Sequence, residues 1–147
     1  MSAGAEPLPS GFDPERFFAL ARTVGHGRAL GLSYRSHGAD WVELALAWDP
    51  KLVSMVDSGT MATGAIVSLV DTCSGTAVWT RMGNFRPVVT LDLRLDYLRP
   101  AAKGEEVVAR CECYKLTRQV AFVRGVAHGG DPERPIAHSV ATFMTVD

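Results

Sequence analysis

Cysteine is scarce in this chain: three in 147 residues, at Cys73, Cys111 and Cys113. So small and odd a set does not make a disulfide framework, and Cys111 and Cys113 stand two apart on one predicted strand face, a poor geometry for bridging each other. A reducing compartment follows as the expectation, with the cytoplasm as the expected location. An excess of one charge sign is lacking as well. Lys plus Arg number 15 against 16 for Asp plus Glu, a net charge of -1, so nothing global draws the surface toward nucleic acid or anionic lipid. Neither nucleic acid nor membrane is expected as a partner. No long uninterrupted apolar run is present, because the longest weakly charged stretch contains Asp71, which argues against a spanning helix. The N-terminus, MSAGAEPLPSGFDPERFF, has no basic stretch leading into an apolar core of the kind a signal peptide carries.

Several catalytic signatures are missing too. His26, His37, His128 and His138 form no i, i+4 pair and no Cys/His ligand spacing, so no metal is expected and these read as surface or strand histidines. Ser58, Ser68, Ser74 and Ser139 lie in no G-x-S-x-G elbow. The segment Gly59-Thr60-Met61-Ala62-Thr63-Gly64 has the look of half a P-loop, but Ala65 and Ile66 occupy the positions where Lys and Ser/Thr are required. A nucleoside triphosphate site is not expected on that ground.

What the chain does have is 47% hydrophobic residues, enough for one domain of ordinary globular composition. Residues 1–12, rich in Pro, Gly, Ala and Ser, are expected as a flexible tail, and residues 13–147 as a single domain. Asp13-Pro14 is a helix start with a mechanism: the Asp oxygen accepts an orphan N–H, and Pro at the first helical position loses no bond. Phe17, Phe18, Leu20 and Ala21 give that short helix an apolar stripe ending near Gly25. Alternation over 28–35 and 41–48 predicts two strands joined by a turn at His37-Gly38-Ala39-Asp40, and a loop then runs to about Thr60. Residues 61–82 hold the one long helical pattern, with no Pro, Gly83 as a stop and almost no charge before Arg81. A helix without a charged face is enclosed by the rest of the fold.

After Pro87 the period becomes two. Leu91, Leu93, Leu95 and Tyr97 alternate with Asp92, Arg94 and Asp96, which puts Thr90 on the charged face. Further strands are predicted around 106–113, 119–128 and 136–146, the last two separated by the turn Gly129-Gly130-Asp131-Pro132. These four strands are expected as an antiparallel meander, and the result is an α+β arrangement, a curled antiparallel sheet around one long central helix with a short N-terminal helix. Apolar residues on both sides of several strands predict a homo-oligomer.

The most informative residue is Asp71, the sole acid between Asp57 and Asp92 and too far inside the helix to cap it. A buried carboxylate without partners costs several kcal/mol as an order of magnitude, so Asp71 either pairs with an arginine or is used. Its helical neighbours Val67, Ser68, Ser74 and Gly75 are small and leave room beside it for a ligand. The start of the helix offers N–H groups of Thr63, Gly64 and Ala65 for a developing negative charge, unless it is simply a helix entry capped by Thr60 or Thr63. Arg99, Lys103, Lys115, Arg118 and Arg124 fall at strand ends or turns, a solvated surface unless the partner carries phosphates.

GTMATGAIVSLVDTCSGTAVW, followed after a short loop by VVTLDLRLDYLRPAAKGEEVVARCECYKLTRQVAFV, resembles the hotdog-fold acyl-CoA thioesterases, specifically the type related to the phenylacetate-pathway thioesterase, over about residues 27–146. The carriers are a helix with an acid seven residues after a Gly, a strand ending in Tyr-x-x-Pro, and a Gly plus an acid opening the next strand. The resemblance implies a hotdog fold and hydrolysis of an acyl-CoA thioester to free acid and CoA, with coenzyme A entering as part of the substrate and no cofactor. It implies Asp71 as base or nucleophile, backbone N–H groups of Thr63 or Gly64 as oxyanion donors, and Thr90 as a hydroxyl reaching into a neighbouring subunit's site. Arg99, Lys103, Arg118 and Ser74 become the substrate-binding candidates, and a homodimer or a dimer-of-dimers homotetramer the expected assembly. Where the family reads His-Gly-Gly this chain has Ala62-Thr63-Gly64, and a family Asn six residues before that His is Val56 here. Those departures motivate the alternative of a non-catalytic acyl-CoA-binding protein on the same fold. For the acyl group, aryl, short and medium chains stay open, with Trp79, Met82 and Phe85 placed to line an apolar tunnel.

Overall fold

The computed structural model describes residues 11–146. All but the last two residues of the expected N-terminal tail therefore lie outside the described residues. Order is already present at Phe12, whose N–H donates to the carbonyl of Gly83 at 3.0 Å. Helix α1 spans Pro14–Ala21, and the Asp13 carboxylate caps it by accepting from the N–H groups of Glu15 and Arg16. A second short helix, α2, spans Gly25–Leu30 and ends on Gly31 in the left-handed region. The sequence pattern predicts a strand opening at Arg28 instead. The alternation of Leu30, Leu32 and Tyr34 crosses a helix boundary, and six residues are too few to show a helical period.

Strands β1 (Leu32–His37) and β2 (Trp41–Leu46) form the expected hairpin. The segment to the central helix holds a 3-10 turn at Pro50–Leu52 and a small hairpin of β3 (Val53–Met55) with β4 (Thr60–Met61). Helix α3 then runs Thr63–Met82 and stops at Gly83, with φ 69°. It is followed by β5 (Val88–Tyr97), β6 (Val107–Leu116), β7 (Val120–His128) and β8 (Pro135–Thr145). All six long strands join one antiparallel sheet in the order β1-β2-β6-β7-β8-β5. A continuous four-strand meander is the expectation from sequence. Only β6 to β8 form one, because β5 crosses to the far edge and pairs with β8 while β6 takes the place beside β2.

The sheet packs its inner face on α3, as the nearly charge-free sequence of that helix requires. Ile66, Leu69, Val70, Cys73, Ala77 and Val78 of α3 are buried against Leu44, Val107, Ala109, Cys111 and Val123 of the strands. At about 25 cal/mol per Å² of apolar surface removed from water, this core is the main stabilising contribution of the fold. One stripe of α3 escapes full burial. Gly64, Val67, Ser68, Asp71 and Thr72, at i, i+3, i+4, i+7 and i+8, are exposed or half-buried, and α1 and α2 flank that stripe. No helix among the described residues is long and apolar enough to cross a membrane.

Candidate active site

Asp71 stands on this open stripe, half-buried at a cavity of about 310 Å³. Phe17, Phe18 and Ala21 of α1, His26 and Gly27 of α2, and Leu32 of β1 line one side. Thr72, Gly75 and Trp79 of α3 line another, with Val88, Thr90 and Phe143 from the sheet. The walls are apolar and the polar groups gather around the carboxylate. No arginine pairs with Asp71 among the described residues. Its partner is the hydroxyl of Thr90, which donates to Oδ1 at 2.9 Å.

That bond corrects the expected direction of Thr90. Thr90 lies opposite Phe143 of β8 and Asp92 lies opposite Thr142, so Leu91 is one extra residue in β5, a β-bulge. The extra residue inverts the alternation. Thr90 therefore shares the inner face with Leu93 and Leu95 and not the outer face with Asp92 and Arg94, and it reaches Asp71 of its own chain.

The start of α3 is built differently from the expected cap. Ala62 is the N-cap residue, and no side chain accepts from the first turn. The Thr60 hydroxyl is bonded to Ser58 Oγ at 2.7 Å. Ala65 N–H closes on the carbonyl of Ala62, so it is not free for a ligand. The N–H groups of Thr63 and Gly64 have no acceptor among the described residues, both residues are exposed, and a Cβ at Gly64 would meet nothing within 4 Å. The Tyr97 hydroxyl donates to the Thr63 carbonyl at 3.3 Å and pins this turn to the end of β5; burial pushes the Tyr97 phenol up from its ordinary value.

These two polar centres do not coincide. Seven or eight residues at 1.5 Å each put the Thr63 and Gly64 amides about 10–12 Å along the axis from Asp71, too far for one thioester carbonyl to touch both in a single chain.

His26 is the site residue that its sequence context does not reveal. Its Nε2 lies 2.9 Å from Ser68 Oγ, which itself donates to the Gly64 carbonyl at 3.1 Å. A hydroxyl has one hydrogen, so Nε2–H is the donor to Ser68 and Nδ1 is left to face other partners. His26 sits in a six-residue helix after a turn, with no ligand spacing to mark it.

The other candidates are dispersed. Ser74 is buried against the sheet, its Oγ 3.5 Å from Cys111 Sγ, and does not face the cavity. Arg99 is held by Glu105 in a bidentate pair, at 2.7 and 3.0 Å, and by the Arg134 carbonyl. Lys103 lies beside Gly59, near the start of α3. Arg118 lines a shallow hollow with Met82, Asn84 and Arg86 at the opposite end, about 30 Å away along a 20-residue helix. Of the three residues expected to line an apolar tunnel, Trp79 does so. Phe85 packs behind it with ring centroids 4.6 Å apart, and Met82 lines the Arg118 hollow. The described residues contain no group of three or more His, Cys, Asp or Glu side chains placed to hold a metal.

A family profile described as the thioesterase superfamily matches residues 58–136, from the approach to α3 into β8. The chain belongs to the thioesterase superfamily. This bears out the hotdog fold and the thioester-hydrolase reading of the sequence. The medium/long-chain acyl-CoA thioesterase YigI of Escherichia coli K12 is 27% identical over 136 residues, covering 80% of this chain and 83% of that protein. A crystal structure of a Pseudomonas aeruginosa protein superposes with a TM-score of 0.78 at 35% identity, covering 90% of this chain and 96% of the other. A point mutant of the phenylacetic acid degradation protein PaaI from Thermus thermophilus superposes with a TM-score of 0.70 at 26% identity, over 81% and 96% of the two chains.

Proposed function

We propose that this superfamily member is an acyl-CoA thioesterase that releases free acid and CoA, with Asp71 as general base or nucleophile. The observation that carries the reading is a carboxylate hydrogen-bonded to Thr90 at the edge of a 310 Å³ apolar cavity. A thiolate leaves readily, so the reaction needs an activated oxygen and a donor for the developing oxyanion. Asp71 supplies the first, either by taking a proton from water or by attacking the carbonyl carbon itself. The unpartnered N–H groups of Thr63 and Gly64 supply the second. Their separation from Asp71 within one chain means that the complete site takes Asp71 from one subunit and the helix start from another.

A homodimer supplies that arrangement, and a dimer of dimers repeats it. Support for a second copy comes from β5, a ten-residue edge strand with one side unpaired and with Val89, Leu91 and Tyr97 exposed along it. Long apolar edges of this kind are covered in stable proteins. Lys103, next to the start of α3, is the cation best placed for a CoA phosphate. Arg99 acts through Glu105 to hold the turn that carries Lys103.

The positions of the family His and Asn hold Ala62 and the fully solvated Val56, 90% exposed, and this favours a second reading in which acyl-CoA binds without hydrolysis. Thiol release from aryl-, short- and long-chain acyl-CoAs, with Asp71→Asn alongside, separates the two. Turnover at least 100-fold above the variant, a loss of about the order expected for removing a general base, is the expected result. Tight binding with no thiol released from any substrate overturns the catalytic reading in favour of the second.

A further inference from the structure

We infer that Gly75 sets the length of acyl chain the protein accepts, and that the occupant of the cavity is a straight acyl chain of medium length. The inference rests on the thioesterase reading above and adds to it a specificity residue and a chain-length ceiling. Glycine is the least favourable ordinary residue inside a helix, apart from proline, and Gly75 sits in the middle of α3. Nothing in the fold calls for it there. Its φ is not positive, and a Cβ at this position would meet only Phe143 Cε1, at 3.6 Å, an ordinary contact. What the missing side chain leaves open is the cavity itself.

Asp71, Gly75 and Trp79 follow one another at i, i+4 and i+8 on one stripe of α3, and all three line the cavity. The stripe from carboxylate to indole is about 12 Å long, the span of roughly ten extended single bonds at the rise of a stretched backbone. Trp79 blocks its far end. The indole N–H donates to the Arg86 carbonyl at 2.7 Å, and Phe17 and Phe85 pack on the ring with centroids 5.4 and 4.6 Å away. A cavity of about 150 Å³ takes a benzene molecule, and 310 Å³ is about twice that. An acyl chain entering past Asp71 must run over Gly75 before it meets Trp79. Side chains at 75 therefore narrow the channel one helical turn beyond Asp71.

The test measures kcat/KM for butyryl-, octanoyl- and palmitoyl-CoA in the full chain, in Gly75→Ala, in Gly75→Val, and in Ala21→Leu, which fills the same cavity from α1. Wild type is expected to prefer octanoyl over palmitoyl. Each variant is expected to lower the octanoyl to butyryl ratio, by about tenfold or more for Gly75→Val, the range in which apolar pockets discriminate single methylenes. Gly75→Ala is expected to melt no lower than wild type, which separates a blocked channel from a damaged fold. Turnover that depends on Asp71 together with an unchanged ratio in both Gly75→Val and Ala21→Leu overturns the inference and leaves the thioesterase reading standing. Equal use of palmitoyl- and octanoyl-CoA by wild type also overturns it. Absence of turnover on every substrate overturns both.

Discussion

Thr90 Oγ1 donates to Asp71 Oδ1 at 2.9 Å, joining the bulged edge strand to the middle of the central helix. The bond exists because Leu91 is an extra residue in β5, which turns Thr90 inward. Once the hydroxyl hydrogen is engaged with one carboxylate oxygen, the lone pairs of Thr90 are left to accept from a water, and the second oxygen of Asp71 has no hydrogen-bond partner among the described residues. The arrangement fixes the carboxylate in one orientation beside the cavity.

Thr90→Val keeps the shape of the side chain and removes the donor. Misplacement of a reacting group by about 1 Å costs on the order of 100-fold, so kcat is expected to fall by about 10- to 100-fold. KM should change little, since Thr90 acts on the carboxylate and not on the bulk of the substrate. Thr90→Ser should restore most of the rate. Steady-state kinetics of the two variants check this; equal losses in both would show that the hydroxyl is not what matters.

Much of this site is legible in the sequence alone, for physical reasons. Asp71 stands out because one acid in a charge-free helix demands a use or a partner, and Gly83 and Asp13-Pro14 mark helix ends by backbone chemistry that needs no tertiary context. The bulge is hidden because Leu91 is apolar and continues the Leu93, Leu95 alternation on paper while standing outside it in space. His26 is hidden because a six-residue helix leaves no period. The pairing of Arg99 with Glu105 depends on how the turn between β5 and β6 closes, which neither residue type signals.

That turn should weaken in acid. Arg99 donates two hydrogen bonds to Glu105, and Ala102 N–H donates a third at 2.8 Å. The arginine bond first, then the backbone bond and the nearby cations, hold the Glu105 carboxyl below its ordinary value of 4.5 against the opposing effect of burial. A carboxylate whose folded-state pKa is depressed adds stability above the unfolded value and loses it as pH falls through the folded one. Glu105→Gln is expected to cost about 1–3 kcal/mol at pH 7, with the gap to wild type narrowing progressively below about pH 4.5. Urea unfolding of both proteins from about pH 7 to about pH 3 measures it; a constant gap across that range would contradict the assignment.

The cysteines should be silent in the native protein. Cys73, Cys111 and Cys113 are free and buried, and desolvation raises the Cys113 thiol to about 11 and the Cys73 thiol well above its usual value. Cys73 also donates to the carbonyls of Val42 and Ala109, at 3.2 and 3.4 Å, which favours the protonated form. Since the thiolate is the reactive species, a colour reagent at about pH 8 should find no fast-reacting thiol in the folded chain and three in guanidinium. The same silence keeps the background low when thiol release from acyl-CoA is followed.

Gly83 should be the costly glycine at the end of α3. It ends the helix at φ 69° and sends its N–H to the carbonyls of Trp79 and Thr80, at 2.9 and 3.2 Å, and its own carbonyl receives Phe12 N–H. A Cβ in the left-handed region costs about 1–2 kcal/mol. Gly83→Ala is therefore expected to lower the melting temperature by roughly 2–8 °C, with Gly83→Val worse and Gly83→Asn milder, since a short polar side chain tolerates that conformation. The effect should reach the cavity. Phe12 packs on Phe17, Trp79 and Phe85, so loosening its backbone anchor frees the aromatic wall that closes the far end of the cavity. Gly83→Ala is expected to relax the preference for octanoyl over palmitoyl chains, in the opposite sense to Gly75→Val. Melting curves and the two-substrate ratio on the same preparations check both halves, and a lowered melting temperature with an unmoved ratio would confine Gly83 to stability alone.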